Sequence, residues 1–366
     1  MVNTQPKFNV VFKELAVTAI QRMQRGTVVM ILKDDTNADL DRVVYTGLGD
    51  VNKADFTPEN YDRLTLAFLG NPYKVVVIKA SETTDAFNEV LAKLDYYNNY
   101  ILCYPEAEAS EFTAIENYLK KIREKNNYSK AILGGALSPD ASYIVNFTTE
   151  GIKANVNGEV KDFTAGDYTA RVAGALSGLS ATRSLTYFEL PELVECTLSE
   201  DADVDVAAGK LVVIHQDGTF KLGRAVNSLI TLTDGVTEAF QKIRIMDILD
   251  TIANDIVSTF RLSYVGKLQN TFTNKCMFIS AINAYLEGLA AEGLLDPANA
   301  NKVYLSVAKI KNYLKGKGQD VTDMTDKEIE RANTGSYVFL DGVCSPTDAM
   351  EDLDLGMYLF QAMQEV

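Results

Sequence analysis

The stretch that decides the fold is residues 224–289, which begins RAVNSLITLTDGVTEAFQKIRIMDILDTIANDIVSTF. Residues 224–233 alternate in the manner of a β-strand. Apolar residues then recur every three or four positions, which predicts a long amphipathic helix containing Ile245, Leu249, Ile252, Ile256 and Phe260. Thr233, Asp234 and Thr237 are candidate N-caps for this helix. After a break at residues 263–267, a second helix is predicted from Phe272, Cys276, Ile279, Ile282, Leu286 and Leu289. A strand that leads into two amphipathic helices forms a core, and it carries no reactive group.

The sequence before this stretch alternates between short apolar strands and helices. The predicted strands are residues 27–33, 73–80, 100–104 and 130–134, and the predicted helices lie near 59–69, 84–94 and 110–124. Such a pattern favours a sheet with parallel pairs and covering helices. Asn157-Gly158 and Asp217-Gly218 predict two-residue hairpin turns, and a further hairpin is expected around Asp341-Gly342. The expected fold class is α/β or mixed α+β, with several mixed sheets and β-strand terminal arms.

Composition and charge exclude several classes of protein. The 366 residues allow two or three domains, and 47% hydrophobic with 23% charged residues is ordinary for a globular protein. A formal net charge of −15 argues against a nucleic-acid or membrane-surface partner, since both select for Lys and Arg. No apolar run approaches the roughly 20 residues of a membrane-spanning helix. The first residues lack a signal pattern, so secretory export is not expected.

The sequence predicts no catalytic, cofactor or metal site. The four cysteines lie far apart without a CxxC pair, so buried free thiols are expected. His215 is the only histidine and is expected to be structural. Asp247 and Asp250 are expected on a solvated helix face, and acidic residues 199–205 in a solvated loop rather than a calcium site. The glycine-containing segments lack the spacing of a phosphate-binding loop.

The two ends of the chain are β-prone, oppositely charged and too poor in apolar residues to form a core. Residues 1–26 carry four basic residues and one acidic residue, a net of +3, whereas residues 348–366 carry five acidic residues and no basic one, a net of −5. Within residues 348–366, apolar residues alternate with other types at Leu353, Leu355, Met357 and Leu359. These ends could pair between copies, or they could be mobile charged tails.

Four segments of the chain resemble contractile-tail sheath proteins, which form the outer tube of phage tails, phage-like bacteriocins and related injection particles. They are residues 12–34 (FKELAVTAIQRMQRGTVVMILKD), 167–193 (DYTARVAGALSGLSATRSLTYFELPEL), 224–270 and 341–359 (DGVCSPTDAMEDLDLGMYL). The resemblance follows the chain in order over nearly its whole length, and residues 36–165 are its least diagnostic part.

The resemblance implies a structural subunit of a virion tail, made in the bacterial host cytoplasm. It implies a homo-oligomer in which arms are exchanged between subunits of a helical sheath with hexameric rings, which contracts without nucleotide. The implied partners are an inner tail tube protein, a baseplate and a tail terminator. The implied division is an arm (1–26), an outer α/β domain (27–165), an inner sheath domain (166–345) and a second arm (346–366).

Eleven residues of the two arms are predicted inter-subunit contacts. They are Phe8, Val10, Phe12, Arg22, Arg25, Glu351, Asp352, Leu353, Leu355, Met357 and Leu359. Two alternatives remain open: another self-assembling tail component, such as an inner tube subunit, or an enzyme with an unrecognised site.

Overall fold

The structure is a computed structural model that describes residues 19–20, 26–81, 86–136 and 138–357. Its strands are β1 (Thr27–Lys33), β2 (Arg42–Tyr45), β3 (Lys74–Ala80), β4 (Ile101–Cys103), β5 (Lys130–Gly134), β6 (Ile144–Phe147), β7 (Glu150–Val156), β8 (Glu159–Phe163), β9 (Leu193–Thr197), β10 (Lys210–Leu211), β11 (Val213–Gln216), β12 (Thr219–Leu222), β13 (Lys302–Leu305) and β14 (Leu340–Val343). Its α-helices are α1 (Pro58–Phe68), α2 (Ala86–Leu94), α3 (Ala109–Arg123), α4 (Ala165–Gly178), α5 (Ala202–Ala207), α6 (Ile243–Thr259), α7 (Phe272–Ala291), α8 (Val307–Gly316) and α9 (Asp326–Arg331).

The described chain divides into two compact units. The larger unit contains residues 26–254 and 346–357, and the smaller unit contains residues 255–345 with residues 19–20. The division falls inside α6, after Asn254. The sequence-based division at residue 165 concerns layers of an assembled particle and stays a prediction.

The larger unit is built on a seven-stranded sheet in the order β10-β6-β5-β4-β1-β3-β2. All neighbouring pairs are parallel except β2 with β3, which makes β2 an antiparallel edge strand. Val28 to Leu32 of β1 are fully buried, because helices cover both faces of the sheet. Helices α2 and α3 contribute to the core on one face, and α1 and α4 to the core on the other. The mixed α/β fold class predicted from sequence is confirmed.

A three-stranded sheet and one further hairpin complete the larger unit. Strands β8-β7-β9 form an antiparallel sheet, and β11 pairs with β12. The turn residues Asn157, Gly158, Asp217 and Gly218 all have positive φ, as the predicted two-residue turns require. The acidic segment is not wholly a loop, because Asp201 caps the short helix α5.

Residues 224–233 contain no strand, so this part of the prediction is wrong. Their backbone amides bind scattered partners instead of one neighbouring strand: the N–H of Ser228 donates to the carbonyl of Ile144, and those of Ile230 and Thr231 donate to the Asp140 carboxylate. We call residues 224–233 the strap. A 3₁₀ turn at Glu238–Gln241 follows, and α6 begins only at Ile243, so the candidate N-caps Thr233, Asp234 and Thr237 do not cap it.

The smaller unit packs α7, α8 and α9 around a small core of Leu305, Ile310, Leu314, Val321 and Ile329. Strands β13 and β14 form its two-stranded antiparallel sheet. Asp341 and Gly342 lie inside β14, so the hairpin expected around them is absent from the described chain. No helix of the described residues is both long enough and apolar enough to cross a membrane.

Candidate assembly site

The C-terminal segment begins with a part that is attached to the larger unit. We call residues 346–352 the arm root. Glu351 is its most enclosed acidic residue, with a side chain only 6% exposed. The hydroxyl of Thr186 donates to Glu351 Oε1 at 2.7 Å, and the ammonium of Lys242 donates to Oε2 at 3.2 Å. Thr186 Oγ1 also accepts the backbone N–H of Ala225 at 3.0 Å, so one hydroxyl links the strap to the arm root.

Three cations hold the remaining polar groups of the arm root. Arg224, at the start of the strap, pairs with Asp352, and Lys242 pairs with Asp348. Arg244, in the first turn of α6, donates to the backbone carbonyl of Thr347 at 3.1 Å. These cations come from the strap and the start of α6, which places the arm root against residues 224–244.

The pKa directions agree with this arrangement. Burial lowers the pKa of Lys242, but hydrogen bonds and charge from Asp348 and Glu351 outweigh burial and raise it above its ordinary value. The hydrogen bond to Asp352 raises the pKa of Arg224. Burial lowers the pKa of Arg244, and the nearby carboxylates oppose this only in part. The carboxylates of the arm root therefore favour the charged forms of Arg224 and Lys242.

The segment after Asp352 leaves the unit. We call residues 353–357 the arm tip. Leu353, Leu355 and Met357 are 88%, 68% and 85% exposed, and the described residues 346–357 contain no helix or strand. A run of exposed apolar side chains on an unpaired backbone leaves hydrogen-bonding groups and apolar surface in water. The arm tip therefore has both requirements for adding a strand to another sheet.

The predicted contact residues fall into three groups. Glu351 and Asp352 lie in the arm root and bind side chains of their own chain. Leu353, Leu355 and Met357 lie in the arm tip. The other six lie outside the described residues: Phe8, Val10, Phe12, Arg22, Arg25 and Leu359.

The sheet of the smaller unit offers an edge to such a strand. The side chain of Asn283 binds both the N–H and the carbonyl of Val303, at 2.7 and 3.2 Å, which occupies the outer edge of β13. Val303 faces Gly342 in the pairing of β13 with β14. Because bonding direction alternates along a strand, the N–H and carbonyl of Gly342 point away from β13, and they have no partner in the described chain. We call this side of β14 the receiving edge.

The role of the cations in the strap and at the start of α6 was not predicted from the sequence, although a signal was present. Arg224, Lys242 and Arg244 are basic residues in a strongly acidic chain, and the tail of that chain carries five acidic residues. These opposite charges were a basis for predicting that the arm root docks on its own subunit.

The prediction that the acidic residues of α6 lie on a solvated face is wrong in part. Asp250 is buried and pairs with Arg123, whose NH1 lies 3.2 Å from its Oδ2, and Lys130 pairs with both Asp247 and Asp250. The prediction of a solvated face is thus wrong for Asp250, because α6 turns this residue toward the cations at the end of α3 and the start of β5. Every acidic residue in this cluster has a cationic partner, as expected for a structural network.

The other candidate chemistry is absent from the described residues. His215 is exposed on β11 and its ring packs on Phe220 at 4.7 Å between centroids. All four cysteines are free, but Cys344 is exposed, so the expectation of buried thiols is wrong for it. The part of the chain that the structure describes has no group of three metal-ligating side chains. A C-terminal segment with an anchored root and an exposed tip, together with a strand edge that is open at Gly342, is typical of a protein that assembles with copies of itself.

Comparison with known proteins points to one family. The family described as the phage tail sheath C-terminal domain matches residues 236–360. The tail sheath protein of Clostridium phage phiCD119 is 36% identical over 359 residues, covering 95% of this chain and 97% of that protein.

Two solved structures are similar in fold. The sheath tail protein from Desulfitobacterium hafniense has a TM-score of 0.67 at 15% identity, covering 81% of this chain and 93% of that chain. The helical sheath of the anti-feeding prophage in its contracted state has a TM-score of 0.70 at 13% identity, covering 98% of this chain and 99% of that chain. At these identities the two structures are evidence for the fold alone.

The identity to the phiCD119 protein extends over nearly the full length of both chains. The chain therefore belongs to the family of phage tail sheath proteins, as the sequence resemblance predicted. It is a structural component of a contractile tail sheath, which favours this reading over the inner tube subunit considered above.

Proposed function

We propose that the chain polymerises into a helical sheath by giving its arm tip to the receiving edge of a neighbouring subunit. The observation that carries this proposal is the contrast within one segment: the arm root is bound to its own chain, whereas the next residues are exposed and unpaired. Head-to-tail contacts of this kind generate a helical filament when the rotation between subunits does not close into a ring.

Strand addition supplies what each partner lacks. The arm tip gains backbone hydrogen bonds, and Gly342 gains partners for its outward N–H and carbonyl. A Cβ on Gly342 would lie 2.8 Å from Val303 Cγ2, closer than real Cβ atoms come, so glycine suits this point of β14. An exposed strand edge can pair with a strand from another chain.

The proposed function includes contraction. The extended sheath is metastable, and its energy is stored as the difference between two packings of one sequence, with the arms as hinges and no nucleotide consumed. The partners in this function are an inner tail tube protein, a baseplate and a tail terminator. The subunit is made in the cytoplasm of the bacterial host and functions in the virion.

The first test is a truncation after Asp352. It keeps the arm root, including Glu351 and Asp352, and removes the arm tip with the residues that follow. The truncated chain is expected to remain folded, with a melting temperature close to that of the full chain, because it loses no contact of the arm root. Electron microscopy is expected to show tubes for the full chain and none for the truncated chain.

A full-length variant separates the sequence of the tip from its length. Replacing Leu353→Ser, Leu355→Ser and Met357→Ser together should also abolish tubes, since the strand then has no apolar face to bury. The matched control is Ser199→Ala, Thr219→Ala and Thr322→Ala, which changes three polar residues outside the arm. Tubes from the truncated chain, or loss of its cooperative unfolding, would show that the tip is not an exchanged arm.

A further inference from the structure

Strands β1 and β4 of the seven-stranded sheet are parallel neighbours, although the chain leaves them in opposite directions. From β1 the chain continues to β2 and β3 on one side, and from β4 it continues to β5 and β6 on the other. Helix α1 packs on one face of the sheet and α3 on the other. In open sheets of this kind, ligands bind in the crevice at the carboxyl ends of such a pair of strands.

This crevice contains a carboxylate of the chain itself. Glu106 follows β4, and its Oε2 accepts the backbone N–H of Lys33, the last residue of β1, at 2.8 Å. Its Oε1 lies 2.7 Å from Nη1 of Arg63, a residue of α1. Each oxygen of one carboxylate thus has its own donor, and the guanidinium adds a full charge to its hydrogen bond. A small bound carboxylate would be held in the same way.

The guanidinium of Arg63 is fixed in position by other partners as well. Its Nε donates to Asp167 Oδ1 at 2.7 Å, and its Nη1 donates to Asn60 Oδ1 at 2.6 Å. Burial lowers the pKa of Arg63, but charge and hydrogen bonds from Glu106 and Asp167 outweigh burial and raise it. Removal of the Glu106 carboxylate would therefore leave a charged donor that is already oriented toward the vacated place.

The start of α4 limits the size of a group that the crevice can hold. A Cβ on Gly166 would lie 2.3 Å from the carbonyl oxygen of Pro105, and a Cβ on Gly134 would lie 2.4 Å from the backbone nitrogen of Gly166. The first turn of α4 thus contacts the ends of β4 and β5 directly, which leaves no room there for a nucleotide. Access from solvent is provided by a cavity of about 280 Å³ that Arg63 and Asp167 line.

We infer that the carboxyl ends of β1 and β4 form a binding site for a small carboxylate, and that the chain fills this site with its own Glu106. The site selects a carboxylate because its two donors, the N–H of Lys33 and the guanidinium of Arg63, each bind one oxygen of the same group. Filling the site joins β1, β4 and α1 through one side chain. This inference concerns the subunit alone and does not depend on the proposed exchange of arms.

Replacement of the side chain by a free carboxylate tests the assignment. Glu106→Ala removes one methylene and the carboxylate, which together have the size of acetate, and is expected to lower the melting temperature. Adding about 100 mM acetate is expected to raise the melting temperature of this variant by about 3 °C, as a ligand that binds only the folded chain does. Circular dichroism measures the transition, and chloride replaces acetate at equal ionic strength in the reference.

Acetamide and Glu108→Ala provide the matched controls. Acetamide has the shape of acetate without its charge, and it is expected to leave the melting temperature of Glu106→Ala unchanged. Glu108 lies two residues later with a side chain that is 54% exposed, so its removal opens no enclosed site. Acetate is therefore expected to affect Glu108→Ala no more than it affects the unmodified chain.

Two results would overturn the inference. Equal acetate shifts in the Glu106→Ala, Glu108→Ala and unmodified chains would indicate a general effect of the salt. No shift for Glu106→Ala would show that its removal exposes no carboxylate site. If Glu106→Ala is unfolded in chloride, its circular dichroism is expected to recover in acetate and not in acetamide, and a failure to recover in acetate would equally overturn the inference.

Discussion

Glu351 determines where the anchored part of the C-terminal segment ends. Its carboxylate is enclosed and bound by a hydroxyl and an ammonium, whereas the carboxylate of Asp352, one residue later, is 76% exposed and pairs with Arg224. The change from an enclosed to an exposed carboxylate within two residues is sharp. Residues beyond it are free to leave the subunit without disturbing the unit on which they are anchored.

Asp34 has a comparable role inside the larger unit. Its buried carboxylate follows β1 and accepts the N–H of Thr57, the amide of Asn60 and the ammonium of Lys79, at 2.9, 2.8 and 3.2 Å. Burial raises the pKa of Asp34, but the hydrogen bonds outweigh burial and lower it below its ordinary value of 3.8. The folded state therefore favours the charged form.

Replacing Asp34→Asn is expected to destabilise the larger unit by about 3 kcal/mol at neutral pH, because Lys79 loses its charged partner. A lowered pKa contributes stability that is present above pH 3.8 and is lost as the pH falls through the folded value. The difference between the two chains should therefore shrink below pH 3.8. Urea denaturation at several pH values measures it.

The neighbouring Asp35 provides the control, because its side chain is exposed. Asp35→Asn should change the free energy of unfolding by less than about 0.5 kcal/mol. A pH-independent difference for Asp34→Asn would mean that packing, and not the charge, accounts for its effect.

At the scale of elements, α1 and α4 approach unusually closely. A Cβ on Gly174 would lie 1.9 Å from the carbonyl oxygen of Ala67, and one on Gly178 would lie 1.8 Å from that of Gly70. Only glycine permits this contact, which lets α4 lie flat against α1 and the sheet. The pair of helices thus depends on positions that carry no side chain.

Gly174→Ala is expected to destabilise the larger unit by about 3 kcal/mol, because the added methyl group must force the helices apart. Gly288→Ala in α7 has open space around its Cβ and should stabilise the smaller unit by about 0.5 kcal/mol through helix propensity. Scanning calorimetry of both variants measures the two effects. If both variants changed the stability in the same direction, the close packing of α1 on α4 would not be what excludes a side chain at Gly174.

Some elements could be predicted from the sequence better than others, because different interactions hold them in place. The parallel strands are continuous apolar runs because both faces are buried, and the sequence shows this directly. The strap alternates like a strand, yet its amides bind Asp140, Ile144 and other partners far along the chain. Alternation reports which side chains are buried, and it does not report which groups accept the backbone hydrogen bonds.

The candidate assembly site could be predicted from the sequence only in part, because sequence patterns do not report hydrogen-bond partners. The exposed arm tip was recognisable from its alternation and its lack of a core. The receiving edge was not recognisable from the sequence. Asn283 occupies the outer edge of β13 and so leaves β14 as the unoccupied side of the sheet, and this contact joins α7 to β13. The burial of Asp250 likewise depends on Arg123, which lies more than 100 residues earlier.

At the scale of the whole molecule, charge pairing between the two arms stays a prediction. Three of the five acidic residues at the C-terminal end are engaged within the chain, namely Asp348, Glu351 and Asp352. Asp354 is exposed in the arm tip. Reversal of Glu351 would damage the arm root, so the cleaner exchange of charge is at Asp354.

Replacing Arg22→Glu and Arg25→Glu together is expected to slow polymerisation at low salt, and Asp354→Lys in the same chain should restore part of the rate. The effect should fade with added salt, since exposed charges are screened over about 8 Å at physiological ionic strength. Light scattering during assembly measures the rate. Absence of any rescue would show that these charges do not meet.

The receiving edge and the arm tip are different surfaces, and a filament made by joining them is polar. At one end of the filament the last subunit keeps an unpaired receiving edge, and at the other end the last subunit keeps an unpaired arm tip. A protein that stops growth at the first terminus must present a strand, whereas one that starts growth at the second must present an edge. Under the proposed exchange, capping and initiation would require two chemically distinct proteins, and neither could substitute for the other.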